Sequence, residues 1–184
     1  GAMGFWAALE EIYSDTRQQR CWMHKTGNVL NCVPKSVQPK VKTALHDIWQ
    51  ADTKENAEAA FDQFEELFEA KYPKAVQCLQ KDREELMAFY DFPAQHWQSL
   101  RTTNPIESTF STIRHRTKRA KGCLTRDGML HMIFKPGRCA QKNWRRQRGF
   151  SYLAKVITGV RFRRSEEHTS ELQSPCNLVC RLLL

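Results

Sequence analysis

Residues 101–110 read RTTNPIESTF and place a single carboxylate, Glu107, at the start of a predicted helix whose continuation is densely basic. The cations that follow it most closely are Arg114, Arg116, Lys118, Arg119 and Lys121. A carboxylate can hold a divalent ion because hard ions prefer oxygen ligands, and basic side chains can hold a nucleic-acid backbone. The pattern suits a residue that holds a metal ion over a phosphodiester.

Helix capping offers a second interpretation of the same carboxylate. Asn104 suits the N-cap position, Pro105 the first helical position and Glu107 the third. Together they would form a capping box, in which the glutamate reaches back to the backbone N–H of the cap residue. Local sequence alone therefore leaves capping and catalysis both open for Glu107.

The charge distribution divides the chain. Its net charge is +9, but residues 1–100 carry 11 Lys/Arg against 15 Asp/Glu, whereas residues 101–164 carry 17 against 2. Such a basic block predicts a polyanionic partner, with a merely solvated basic face as the alternative. The residues expected to contact DNA phosphates are Arg114, Arg116, Lys118, Arg119, Lys121, Arg145, Arg146 and Arg148.

Composition excludes several classes of protein. No run of about 18 apolar residues is present, so no membrane span is predicted, and no charged-then-apolar leader opens the chain. Seven cysteines occur at irregular spacing, which argues against a disulfide framework. A cytoplasmic, nucleoid-associated protein is expected.

Hydrophobic periodicity predicts mostly helix. Residues 36–50, 55–71 and 74–90 carry apolar stripes at helical spacing, with aromatic residues that we assign to a core. Residues 19–24 form a short apolar run that could be a buried strand. A further apolar pattern at about 126–146 contains Pro136, which predicts either two helices meeting there or a sequence error.

Two further features allow both structural and functional interpretations. Cys21 and His24 have one half of a zinc-site spacing, but a structural zinc needs four ligands and no second pair is evident, so packing is favoured. Trp97 could stack on a displaced base, although core packing is the simpler interpretation.

Several motifs, taken together, resemble the bacterial mutator-type insertion-sequence transposases in order and spacing. The resemblance covers essentially residues 1–163. Its elements are GAMGFW at 1–6, QRCWMHK at 19–25, NVL at 28–30, AVQCL at 75–79, DFP at 91–93, TTNPIESTF at 102–110 and WRR at 144–146.

This resemblance implies a DDE-type enzyme of α-rich α/β class, the C-terminal part of an RNase H-like catalytic domain with an all-helical insertion. In that family two aspartates and one glutamate bind two Mg²⁺ (or Mn²⁺) ions. Glu107 would be the third acid, catalytic and metal-binding. Cys21, His24, Asn104 and Trp97 would support the site. The partners implied are double-stranded DNA, at transposon ends and target, and further copies of the protein in a homo-oligomer.

The expected division of the chain follows from the same resemblance. Residues 1–35 would form a partial RNase H-like core, 36–100 the helical insertion, and 101–163 the Glu107 helix with basic C-terminal helices. Residues 164–184 read like a translated sequencing adapter and are expected to be an artefact.

The two catalytic aspartates are expected outside this chain, the second of them immediately before Gly1. The chain alone would then be an inactive fragment of a DNA-cleaving and strand-transferring enzyme. The alternative is a non-catalytic DNA-binding helical remnant.

Overall fold

A computed structural model describes residues 7–8, 11–14, 18–122, 125–163 and 166–168. The motif expected at residues 1–6 lies outside the described residues, as does most of the segment 164–184. Residues 7–8 and 11–12 are helical.

Helices dominate these residues. In chain order they are α1 (Trp22–Leu30), α2 (Gln38–Trp49), α3 (Lys54–Phe68), α4 (Pro73–Gln80), α5 (Arg83–Met87), α6 (Ala94–Leu100), α7 (Asn104–Arg119), α8 (Arg126–Gln141) and α9 (Leu153–Ile157). Short 3₁₀ helices cover Ala88–Asp91 and Phe150–Tyr152. The predominance of helix predicted from the sequence is confirmed.

The hydrophobic core joins α1 to α2–α5 and the first 3₁₀ helix. In α3 the buried residues are Ala57, Phe61, Phe64 and Phe68, a helical spacing that places them on one face. The aromatic stripes assigned to a core are thus confirmed, whereas the nearby Leu67 is 53% exposed. The largest fully buried side chains of this core are Trp22, Phe61, Phe64, Phe89, Leu45 and Ile48.

The strand predicted at residues 19–24 is wrong, because α1 begins at Trp22. A short apolar run cannot be distinguished from a buried helix by periodicity alone. Here the buried positions Trp22, Lys25, Thr26 and Val29 recur at helical spacing. Lys25 is buried and its ammonium lies 2.6 Å from the Asp82 carboxylate, which supplies the charge partner that a buried cation needs.

The single helix predicted over 74–90 is instead broken at residues 81–82, between α4 and α5. The break places the Asp82 carboxylate within reach of both Lys25 and Arg20. The break thus removes a few helical hydrogen bonds and places the Asp82 carboxylate beside α1.

Helices α7 and α8 pack against each other as an antiparallel hairpin. Pro136 lies inside α8, which continues through it, so neither two helices nor a break occurs there. Beyond residue 101, the buried apolar side chains among the described residues are Ala140, Val156 and Phe162. The hairpin therefore lies on the outside of the molecule and carries its charges in solvent.

Strands are scarce in the part of the chain that the structure describes. Arg161–Arg163 (β1) pairs antiparallel with Glu166–His168 (β2), which falls in the segment expected to be an artefact. The α-rich character is confirmed, but an α/β RNase H-like sheet is not. Among the described helices, none is both long enough and apolar enough to cross a membrane.

Candidate active site

Glu107 lies in the first turn of α7, where its side chain is 51% exposed. The helix begins one residue earlier than the capping interpretation requires, because Thr103, not Asn104, is the N-cap residue. The Thr103 carbonyl accepts the Glu107 N–H at 2.9 Å. The capping box with Asn104 as its cap is therefore wrong, and Asn104 is an exposed first residue of α7.

The Glu107 carboxylate is held by two side chains from different parts of the chain. The Thr103 hydroxyl donates to Glu107 Oε1 at 2.7 Å. His24 Nε2, from α1, lies 3.3 Å from the same oxygen. The structure thus brings together Glu107 and the Cys-x-x-His motif, which are separated by more than 80 residues in the sequence.

Backbone contacts fix α1 beside α7. The Trp22 N–H donates to the Arg101 carbonyl at 2.9 Å, and the Trp22 indole donates to the Leu86 carbonyl at 2.9 Å. The Arg101 guanidinium lies over the rings of Trp49 and Phe89 and bonds the Trp49 carbonyl. Both ends of the Trp22–Arg101 contact are therefore anchored in the core.

Cys21 lies on the other side of Thr103, with its Sγ 3.6 Å from the Thr103 hydroxyl. Burial alone would raise the pKa of the Cys21 thiol. Hydrogen bonds from His24 and Thr103 outweigh burial and lower this pKa below its ordinary value. Cys21, Thr103, His24 and Glu107 thus form one polar cluster, which we call the Glu107 cluster.

The cluster is not a complete metal site. Within the described residues, no group of three or more His, Cys, Asp or Glu side chains is arranged to hold an ion. Glu107 offers one hard oxygen ligand to solvent, which suits Mg²⁺ or Mn²⁺ as one member of a larger ligand set. A zinc site at Cys21 and His24 gains no further ligands from this arrangement.

Trp97 is placed in the core. Its indole donates to the Phe92 carbonyl at 2.7 Å, and its ring meets Phe89 and Tyr90 edge-on. These contacts favour the packing interpretation over base stacking. A role for Trp97 in supporting the site stays a prediction.

The candidate DNA-contacting residues are all exposed: Arg114, Arg116, Lys118, Arg119, Lys121, Arg145, Arg146 and Arg148. None of them forms an ion pair with a described carboxylate, so their charges are not neutralised by these parts of the protein. The Trp144 indole donates to the Thr109 hydroxyl at 3.1 Å. This bond ties the 145–148 segment to the first half of α7.

A second contact holds the 145–148 segment from its other end. His96, which is 1% exposed, hydrogen-bonds through Nε2 to the Gly149 carbonyl at 2.9 Å. Gly149 has φ of 69°, and a Cβ there would lie 2.6 Å from Gln95 Cβ. Only glycine therefore fits this position without displacing α6.

Sequence reasoning missed two of these residues. The sequence does not single out Thr103, because Asn104 is an equally good N-cap residue. The Thr103 hydroxyl joins the cluster only because α1 lies beside it. His96 offered no local signal, because its partner is 53 residues away.

Known sequences resemble this chain over most of its length. The family described as "Transposase, Mutator family" matches residues 1–145. The transposase for insertion sequence element IST2 of Acidithiobacillus ferrooxidans is 54% identical over 162 residues, which cover 88% of this chain and 55% of that protein. The transposase for IS6120 of Mycolicibacterium smegmatis is 42% identical over 177 residues, 95% of this chain and 55% of that protein.

The chain therefore belongs to the mutator family of transposases. It spans about half the length of the curated relatives named above.

Proposed function

We propose that this chain is the C-terminal part of a DDE-type transposase that cleaves and joins DNA during transposition of an insertion element. The observation that carries the proposal is the position of Glu107: a carboxylate fixed by Thr103 and His24 at the start of a helix whose exposed face is basic. Family membership supports the same assignment.

In this proposal Glu107 is the third acid of the catalytic centre and a metal ligand. Two aspartates outside this chain complete the ligand set, on a domain of RNase H-like fold. Two Mg²⁺ (or Mn²⁺) ions, when bound, stabilise the attacking and leaving oxygens at phosphorus. The residues of this chain hold the Glu107 oxygen in place and bind the DNA backbone beside it.

Double-stranded DNA is the proposed partner, both as transposon ends and as target. The eight exposed cations contact phosphates and position the duplex without reading its sequence. Residues 36–100 form the helical insertion between the second and third acids. Trp97 supports the site by packing in the core beside the segment that leads into α7. The complete enzyme works as a homo-oligomer on paired DNA ends, associated with the nucleoid.

One observation favours a second function, a DNA-binding remnant without catalysis. The described residues offer one acid at the candidate site and no cluster of three possible ligands. A remnant would bind DNA in a salt-sensitive manner, without any dependence on divalent ions.

The test uses a complete transposase in which residues 1–163 of this chain replace the matching part of the IST2 transposase. Transposition of a marked element is counted in cells, with Glu84→Gln as the matched control, since Glu84 is also an exposed first-turn glutamate. The proposal predicts that the unmodified chimera and Glu84→Gln transpose and that Glu107→Gln does not. Loss of transposition in the unmodified chimera, while the parent relative remains active, favours the remnant.

A further inference from the structure

Two side chains of the Glu107 cluster approach the same carboxylate oxygen. The Thr103 hydroxyl lies 2.7 Å from Oε1 and His24 Nε2 lies 3.3 Å from Oε1. No described residue donates to Oε2. The Glu107 side chain is about half exposed, and both of these contacts are made to Oε1.

The Thr103 hydroxyl has one proton and two neighbours that could accept it. Glu107 Oε1 at 2.7 Å is a far better acceptor than Cys21 Sγ at 3.6 Å, because it is closer and charged. The hydroxyl proton is therefore directed mainly at Glu107 Oε1, and Cys21 Sγ is the more distant of its two acceptors.

Thr103 and His24 are also fixed by contacts that do not involve the Glu107 carboxylate. Thr103 is the N-cap residue of α7, and its carbonyl accepts the N–H groups of Ile106 and Glu107. His24 is fixed on α1 by the Trp22–Arg101 contact. Even a fully charged pair at such an exposed position stabilises a fold by only about 0–1 kcal/mol, so stability is a weak explanation for the arrangement.

We propose that Thr103 and His24 are positioning residues that hold Glu107 through Oε1 and thereby present Oε2 as its single metal-binding oxygen. The inference rests on the proposed function, because it assumes that Glu107 binds an ion. It adds a division of labour between the two oxygens and a role for the Cys-x-x-His motif that requires no zinc.

The experiment measures Mn²⁺ binding, by electron paramagnetic resonance of the free ion, in the complete chimeric transposase bound to DNA. Thr103→Val removes the hydroxyl at nearly constant shape, and His24→Ala removes the ring. Each should weaken Mn²⁺ binding about 10–100-fold, the usual cost of removing a residue that orients a metal ligand. DNA affinity should stay within about 2-fold, since neither residue belongs to the basic surface.

Conservative variants separate positioning from folding. Thr103→Ser keeps the hydroxyl and His24→Gln keeps an N–H donor, so both should restore most of the Mn²⁺ affinity. Thr43→Val and His131→Ala are the matched controls, because each residue is exposed and hydrogen-bonds within its own helix. The inference is overturned if Thr103→Val and His24→Ala bind Mn²⁺ like the unmodified protein, or if the conservative variants lose as much.

The outcome for Glu107→Gln distinguishes failure of this inference from failure of the proposed function on which it rests. If Glu107→Gln weakens Mn²⁺ binding and abolishes cleavage while Thr103→Val and His24→Ala behave as wild type, the positioning role fails and the function stands. If Glu107→Gln changes neither property, the proposed function fails and the inference fails with it.

Discussion

His24 Nε2 lies 3.3 Å from Glu107 Oε1, so two motifs more than 80 residues apart in the sequence meet in one cluster. The contact depends on α1, which the Trp22–Arg101 backbone bond holds against the start of α7. The fold therefore places the Cys-x-x-His motif beside the Glu107 motif.

The Cys21 thiol should be more reactive than the Cys78 thiol. Hydrogen bonds lower the pKa of Cys21 despite its burial, whereas burial raises the pKa of Cys78. Since the thiolate is the nucleophile, Cys21 should be alkylated faster by iodoacetamide at about pH 8. Mass spectrometry of timed samples gives the rate at each site. Equal rates, or a faster Cys78, would contradict the hydrogen-bonded environment described for Cys21.

Removing two cations from α7 should weaken DNA binding and its salt dependence. Arg114→Gln with Arg116→Gln removes two exposed charges, and each lost phosphate contact lowers the slope of log affinity against log salt by about 1. The matched control is Lys40→Gln with Lys42→Gln, two exposed cations on α2. Fluorescence anisotropy over a salt series measures both. If the two double variants weaken binding equally, DNA does not lie on α7.

Gly149→Ala should loosen the attachment of the 145–148 segment. Its Cβ would lie 2.6 Å from Gln95 Cβ, and φ of 69° strains any side chain. We expect a loss of about 1–3 kcal/mol in the free energy of unfolding, the usual cost of such strain. Gly27→Ala is the control, because a Cβ there meets no atom within 4 Å and alanine favours a helix. Chemical denaturation measures both variants, and an unchanged Gly149→Ala would contradict the packing against α6.

Tyr90 should make the free energy of unfolding decrease at alkaline pH. Burial raises the pKa of its phenol, which donates to the carbonyls of Ile48 at 3.1 Å and Ala51 at 2.9 Å. An acid whose pKa is higher folded than unfolded stabilises fully below its unfolded pKa, about 10, and loses this contribution above it. Tyr90→Phe should cost about 1–3 kcal/mol at neutral pH, because two carbonyls lose their donor.

The same variant should also flatten the decline of stability above about pH 10. Denaturant titrations at pH 7 and pH 10.5 measure the difference between the two proteins. A parallel decline in the unmodified protein and in Tyr90→Phe would show that another group carries the pH dependence.

How far the sequence alone predicts this structure depends on the range of the interactions involved. Helices α2 and α3 follow from periodicity, because each buries a regular stripe, and α7 follows from the helix-start pattern of Asn104, Pro105 and Glu107. Helix α1 was predicted as a strand, since its first apolar residues have too few repeats to define a period. The continuity of α8 through Pro136 also escaped prediction, because local cost alone does not decide whether tertiary packing sustains a helix.

Glu107 could be singled out from its neighbours in the sequence, but its environment could not. The hydrogen bond from Thr103 depends on a one-residue shift in the start of α7, and the approach of His24 depends on a contact between distant segments. The DNA-contacting set, the metal ligands and the domain boundaries stay predictions, since each needs DNA, an ion or a longer chain to be observed.

The central claim is that Glu107 is a catalytic acid and not only part of a helix start. The most direct test is Mg²⁺-dependent cleavage of labelled transposon-end DNA by the purified chimeric transposase, with DNA affinity measured in the same buffer. Our account predicts that Glu107→Gln abolishes cleavage and leaves DNA affinity nearly unchanged, whereas Glu84→Gln preserves both. Cleavage by Glu107→Gln at the unmodified rate would contradict the account, and loss of DNA binding together with cleavage would assign Glu107 a role in folding instead.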